Sequence, residues 1–152
     1  MSWNPETDGP YHFTLDVDPA RLSTAQQKGM FRGRVFTNPK VARGQRIVRD
    51  LALPHRARLG DGFHGVPVFA KVSYLFAFPK SGTKAEKAAR YEGMPVVSAR
   101  YGDLDNRHKA VQDALFTQAG ILSDDVYIST LWLTKRYTFG KPRIEVEIQR
   151  DE

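Results

Sequence analysis

The sequence predicts an α+β fold, one mixed β-sheet with two main helices packed on it, in a single domain covering residues 1–152. Three observations carry that prediction. Apolar residues alternate with period two in four stretches, which is the mark of strands with one face covered. Two other stretches show helical spacing behind an Asn or Asp of the kind that caps helices. The elements follow one another as strand, helix, strand, helix, strand, strand, so the helices have one sheet to pack on.

Tyr11, Phe13, Leu15 and Val17 alternate with His12, Thr14 and Asp16 to give the first strand, closed by Pro19. From Ala20 to Arg49 there is no acidic residue, while Arg21, Lys28, Arg32, Arg34, Lys40, Arg43, Arg46 and Arg49 all fall there, with Phe31 and Phe36 between them. Within this basic segment, residues 20–49, Asn38 and Pro39 read as a helix cap and first turn, because proline lacks an amide hydrogen where none is needed. Val41, Ile47, Val48 and Leu51 mark the core stripe of that helix, and Arg43, Arg46 and Arg49 its other side. The glycine-rich stretch from Pro54 to Pro67 reads as a loop.

Val68, Ala70, Val72, Tyr74, Phe76 and Phe78 give the clearest alternation and the expected central strand. Residues 79–95 are polar and charged, expected as a flexible loop with at most a turn or two of helix, and Val96 and Val97 as a strand edge leading to Arg100. The second helix opens at Asp103 or Asp105 and ends at Gly120, with Ala110, Val111, Ala114 and Leu115 toward the core and Asp105, Lys109 and Asp113 on another stripe. Val126, Ile128, Thr130 and Trp132 alternate with Tyr127, Ser129, Leu131 and Leu133, both rows fairly apolar, so this strand is expected to be covered on both faces with Trp132 in the core. Ile144, Val146 and Ile148 alternate with Glu145, Glu147 and Gln149 in a half-exposed last strand. His12, His55, His64 and His108 lack metal-ligand spacing and read as surface or loop residues, His108 being the open case.

With 41% hydrophobic residues the chain can bury a core, and with no cysteine it has no disulfide partner and no thiolate metal site. The start, MSWNPETDGP, has no basic-then-apolar leader, and no run approaches the roughly 18 apolar residues of a membrane span. A soluble, unexported protein is expected. A formal charge of +6 and a pI near 9.7 point to a polyanionic partner. The basic segment is either a solvated face or a set of phosphate contacts, with Arg21, Arg32, Arg34, Arg43 and Arg46 as the candidates and Arg107 and Lys135 beside them.

The chemistry-bearing stretch runs from Tyr101 to Asp125, YGDLDNRHKAVQDALFTQAGILSDD. A helix and a strand leaving one corner would bring Asp103, Asp105 and Asp125 together, and carboxylates so placed repel unless a cation sits among them. Candidate magnesium ligands are therefore Asp103, Asp105 and Asp125, with Asp124 supporting, and Lys109 is one turn after Asp105, suited to a scissile phosphate or leaving oxygen. Bland readings stand beside this. Asp105 or Asn106 would serve as a simple cap, Lys109 and Asp113 as a surface pair, and Asp124 and Asp125 as turn residues.

DLDN with Lys109, then DAL, a glycine, the Asp124–Asp125 pair and a strand reaching Lys135 resembles the signature of the RusA family of Holliday-junction resolvases. The resemblance is dense over roughly a quarter of the chain, and its agreement of acidic positions, lysine and strand-helix-strand context is more specific than a bare DxD. Gly102 stands where relatives often carry Pro, and Arg107 and His108 occupy positions that are frequently apolar. The resemblance implies a magnesium-dependent endodeoxyribonuclease, with manganese able to substitute, acting on branched DNA and above all four-way junctions. It implies Asp103, Asp105 and Asp125 as ligands, Lys109 as an essential lysine, a homodimer that nicks two symmetric strands, and work in the cytoplasm of a bacterial or phage-infected cell. The competing expectations are a basic, non-catalytic DNA-binding or architectural protein, and another magnesium-dependent transferase using DxD; no GxxxxGK[ST] loop supports the latter.

Overall fold

In the computed structural model, which describes residues 3–4, 7–23, 28–31, 34–37, 39–79, 90–97, 101 and 103–151 (28–31 and 34–37 by backbone alone), six strands and two main helices are seen. Strand β1 (Tyr11–Leu15) buries Tyr11, Phe13 and Leu15 and exposes His12 and Thr14, as the alternation requires. A 3₁₀ turn at Pro19–Arg21 follows, capped by Asp18, whose Oδ1 accepts the Ala20 amide at 2.9 Å. Next comes an antiparallel pair, β2 (Lys28–Phe31) and β3 (Arg34–Thr37), that no alternation announces: Gly29 and the basic residues interrupt the apolar pattern.

Helix α1 (Pro39–Leu59) begins at the predicted proline but runs well past the predicted stop. Pro54 lies inside it, on the exposed side, as does Asp50, whose carbonyl loses its hydrogen bond to the missing amide. The loop expected from Pro54 is thus the last turn and a half of helix, followed by turns from Gly60. The core stripe is Val41, Val48, Ala52 and Leu59, while Ile47, expected in it, is exposed.

Strand β4 (Val68–Ala77) is central, with Val68, Ala70, Val72, Tyr74 and Phe76 buried. Helix α2 (Leu104–Gln112) continues as a wider π-helical turn, Asp113–Gln118, and ends where Gly120 takes φ +81°. The left-handed backbone there calls for glycine, and a Cβ would also press on the Arg56 side chain at 3.2 Å. Strands β5 (Ile128–Thr138) and β6 (Arg143–Arg150) complete a four-stranded sheet in the order β1-β6-β4-β5, antiparallel except for the β4–β5 pair. The segment before α2 adds one bridge, Pro95 to Arg136, and Val96 donates to the Lys135 carbonyl at 3.0 Å, so the expected strand edge is there at Val96; Val97 is exposed. The expected flexible loop falls largely on residues 80–89, outside those described.

Both helices pack on one face of the sheet, where Val111, Ala114, Leu115 and Phe116 meet the inward rows of β4, β6 and β1. The other face carries His12, Thr14, Lys71, Ser73, Glu145 and Glu147 around an open cavity of about 250 Å³. This explains a correction. Strand β5 is an edge strand, not one covered on both faces, and Trp132 is 58% exposed on the open face with Lys71 Nζ 5.3 Å from its ring centroid. Trp132→Ala is accordingly expected to change the unfolding free energy by no more than about 1 kcal/mol, against about 3–5 kcal/mol for Phe116→Ala in the core. Urea unfolding of the two variants checks the contrast.

Candidate active site

Asp103 occupies the N-cap position of α2 in extended backbone (φ −75°, ψ 137°), but its side chain makes no capping bond to the helix amides. Its carboxylate instead accepts Asn106 Nδ2 at 3.3 Å, which leaves it facing outward. Asp105 follows in the first turn, where the helix dipole favours negative charge. Lys109 Nζ is 3.6 Å from Asp105 Oδ2, with both side chains mostly exposed. The surface pair of Lys109 and Asp113, the bland reading, is not formed; Asp113 accepts from Gln118 Nε2 at 3.1 Å.

At the other end of the row, Asp124 does serve the turn. It caps the 3₁₀ turn Asp125–Tyr127, accepting the Val126 amide at 3.0 Å. That bond, and hydrogen bonding with Asp125, hold its carboxyl below the ordinary aspartate range. Asp125 Oδ2 accepts Gln112 Nε2 at 3.2 Å. Gln112 is seven residues after Asp105, on the same side of α2, and its amide reaches back to His108, so Asp125 meets α2 through a side chain that leans toward Asp105.

The candidate ligands thus line one side of α2 and do not close into a knot. Among the described residues no three His, Asp or Glu side chains are grouped so as to hold a metal ion. In kind they suit a hard divalent cation, being outward carboxylates with oxygen donors only. Coordination by all of them requires the side chains to draw together.

Behind the row lies a set of residues that the sequence did not mark. His108, open between surface and loop, is 3% exposed. Its Nδ1 lies 2.7 Å from the Tyr74 hydroxyl in the core and its Nε2 2.9 Å from Gln112 Oε1. Burial pushes His108 down to about 4, against smaller upward pulls from Gln112 and Asp105. A histidine kept neutral in the fold and ordinary when unfolded stabilises the fold fully above pH 6.5, and that stability is lost as the pH falls from there toward 4. Between pH 7 and 5 the loss is expected to be about 2 kcal/mol, at roughly 1.4 kcal/mol per pH unit below 6.5. Urea unfolding at both pH values checks it, with His108→Gln lacking the slope. The signal in the sequence was the i, i+4 spacing of His108 and Gln112, which gains meaning only once β4 puts Tyr74 beneath them.

Two other histidines are also more than surface. His55 stacks on Phe13 at 4.4 Å and pairs with the Tyr11 hydroxyl at 2.9 Å, and His64 Nε2 lies 2.7 Å from the Gly120 carbonyl.

The candidate DNA contacts divide. Arg43 and Arg46 are exposed on the outer side of α1, and Arg21 is exposed at the end of the 3₁₀ turn. Lys135 is half-buried on β5, opposite Tyr74 in register and so on the helix-bearing face. Arg32 lies outside the described residues, and of Arg34 only the backbone in β3 is described. Arg107 is a correction. It is 5% exposed and points inward, donating to the carbonyls of Tyr101, Pro19 and Leu22, because its place on α2 faces the core side and a buried guanidinium must find acceptors. Four of its five N–H donors go to these carbonyls and the side chain is buried, so it does not face DNA.

A family model described as Endodeoxyribonuclease RusA matches residues 18–149. Among curated proteins, none matches the chain.

Proposed function

Because the chain belongs to the RusA family of endodeoxyribonucleases, which matches 18–149 of its 152 residues, we propose that it is a magnesium-dependent, structure-selective endodeoxyribonuclease that resolves four-way DNA junctions by paired phosphodiester hydrolysis. The observation that carries this reading is the outward row of Asp103, Asp105, Lys109 and Asp125 along α2, in a chain with exposed Arg43 and Arg46 on its other main helix. A divalent cation held by Asp103, Asp105 and Asp125, with Asp124 beside them, would supply Lewis acidity and water activation at the scissile phosphate, manganese in place of magnesium included.

The chain's own residues set the rest. Arg21, Arg43 and Arg46 bind phosphates without reading sequence, and Lys135 sits on the face that the site occupies. Lys109, held near the row by Asp105, neutralises charge on the scissile phosphate or the departing oxygen. One chain carries one such row, so two symmetric nicks call for a homodimer. As a DNA-processing family member it is proposed to act in the cytoplasm of a bacterial or phage-infected cell, where its substrate lies.

The test is cleavage of a labelled four-way junction in the presence of excess linear duplex of the same sequence, with magnesium or chelator. Cutting of the junction alone, and only with magnesium, supports the reading; equal cutting of the duplex ends the claim to junction selectivity. The spread of the carboxylates along α2 favours one rival, a basic architectural protein that binds branched DNA without cutting it. Salt-sensitive junction binding with no cut under magnesium or manganese is its signature.

A further inference from the structure

We infer that Tyr74, His108 and Gln112 form a positioning chain that orients Asp125 for cation binding, an inference that rests on the nuclease reading above. Its direction follows from one fixed point. An ionised Asp125 carboxylate only accepts, so the Gln112 atom 3.2 Å away must be the amide nitrogen, and Gln112 Oε1 then faces His108. An oxygen there requires the proton on His108 Nε2, 2.9 Å away, which leaves Nδ1 bare to accept the Tyr74 hydroxyl at 2.7 Å. Every donor meets an acceptor from the core of β4 to the carboxylate.

The inner members are rigid. Tyr74 is fully buried on the central strand and His108 nearly so on α2, and the half-buried Gln112 carries the chain out to the exposed Asp125. Oδ2 of Asp125 is engaged by Gln112, which fixes the plane of the carboxylate. The arrangement is that of outer groups which fix a ligand's orientation, whose loss typically weakens metal affinity by about 10–100-fold. Tyr74, His108 and Gln112 are positioning residues here, since none of them meets substrate.

The experiment pairs a binding titration with a spectroscopic one. Manganese is titrated into the full-length wild type, Gln112→Leu and Tyr74→Phe without DNA, followed by calorimetry, and the magnesium dependence of junction cleavage is measured in parallel. Gln112→Leu is expected to raise the manganese Kd about tenfold or more and to move the magnesium midpoint of cleavage the same way, with the rate recovered at saturating metal. Tyr74→Phe is expected to act in the same direction and less. Side-chain ¹⁵N spectra of the wild type should show His108 neutral with the proton on Nε2. Titrations of Gln112→Leu that superimpose on wild type, or a His108 proton on Nδ1, overturn the inference. Failure of the nuclease reading looks different: the wild type then cuts no junction, whatever the variants bind.

Discussion

Asp105→Asn is expected to lower junction cleavage by at least about 10³-fold while leaving junction binding in chelator within about twofold of wild type. The substitution keeps size and hydrogen-bonding shape but removes the charge that would hold a cation and that holds Lys109, whose Nζ lies 3.6 Å away. A 10³-fold loss corresponds to about 4 kcal/mol of barrier, the scale of the charge stabilisation asked of a divalent ion and its ligands. Stability should barely move, because both side chains are exposed and such pairs contribute at most about 1 kcal/mol. Single-turnover cleavage and a gel-shift titration on the same preparation read the two quantities. Cleavage retained by Asp105→Asn would take this residue out of the chemistry.

Arg107→Ala is expected to do the reverse, costing about 3–5 kcal/mol of stability through the fold and not through the chemistry. The guanidinium binds the Tyr101 carbonyl twice, through Nε at 3.2 Å and a terminal nitrogen at 2.5 Å, and reaches the Leu22 carbonyl at 3.2 Å and that of Pro19 as well. It also lies over the Phe76 ring at 5.3 Å. Truncation takes the guanidinium from three carbonyls, of which that of Pro19 keeps the Leu22 amide, and opens the seam between the 3₁₀ turn and α2. For a domain of this size the melting temperature should fall by roughly 10 °C. Arg107→Lys should recover only part of this, since the donors of an ammonium all sit on one atom and lack the spread of the planar guanidinium fork. A melting curve unchanged by Arg107→Ala would refute the structural role.

The residues that local rules govern were legible in the sequence. Alternation placed β1, β4 and β6, proline and its preceding Asn placed the start of α1, and Gly120 the end of α2. What failed were judgements that depend on the neighbours an element finds. Trp132 looks like core by composition, but it lies beside Lys71 on the face of the sheet that no helix covers. Pro54 looks like a stop, yet the exposed side of a helix tolerates the lost bond. Arg107 looks like a DNA contact because it is a cation near an acidic motif, and only the fold shows three carbonyls converging on it. For the candidate site, the Asp105–Lys109 contact one turn apart on α2 was readable from spacing, and so was the turn role of Asp124. Gln112 was not, because its partners come from β4 and from beyond the helix.

The most direct measurement is to map, on both strands of a synthetic four-way junction with a fixed crossover, where the purified wild-type chain cuts in magnesium. The nuclease account predicts two nicks at symmetric positions flanking the crossover, made within one binding event, and none in the presence of chelator or with Asp105→Asn. Tight junction binding with no nick in either metal would contradict it and leave the α2 carboxylates as surface and capping residues of a DNA-binding protein.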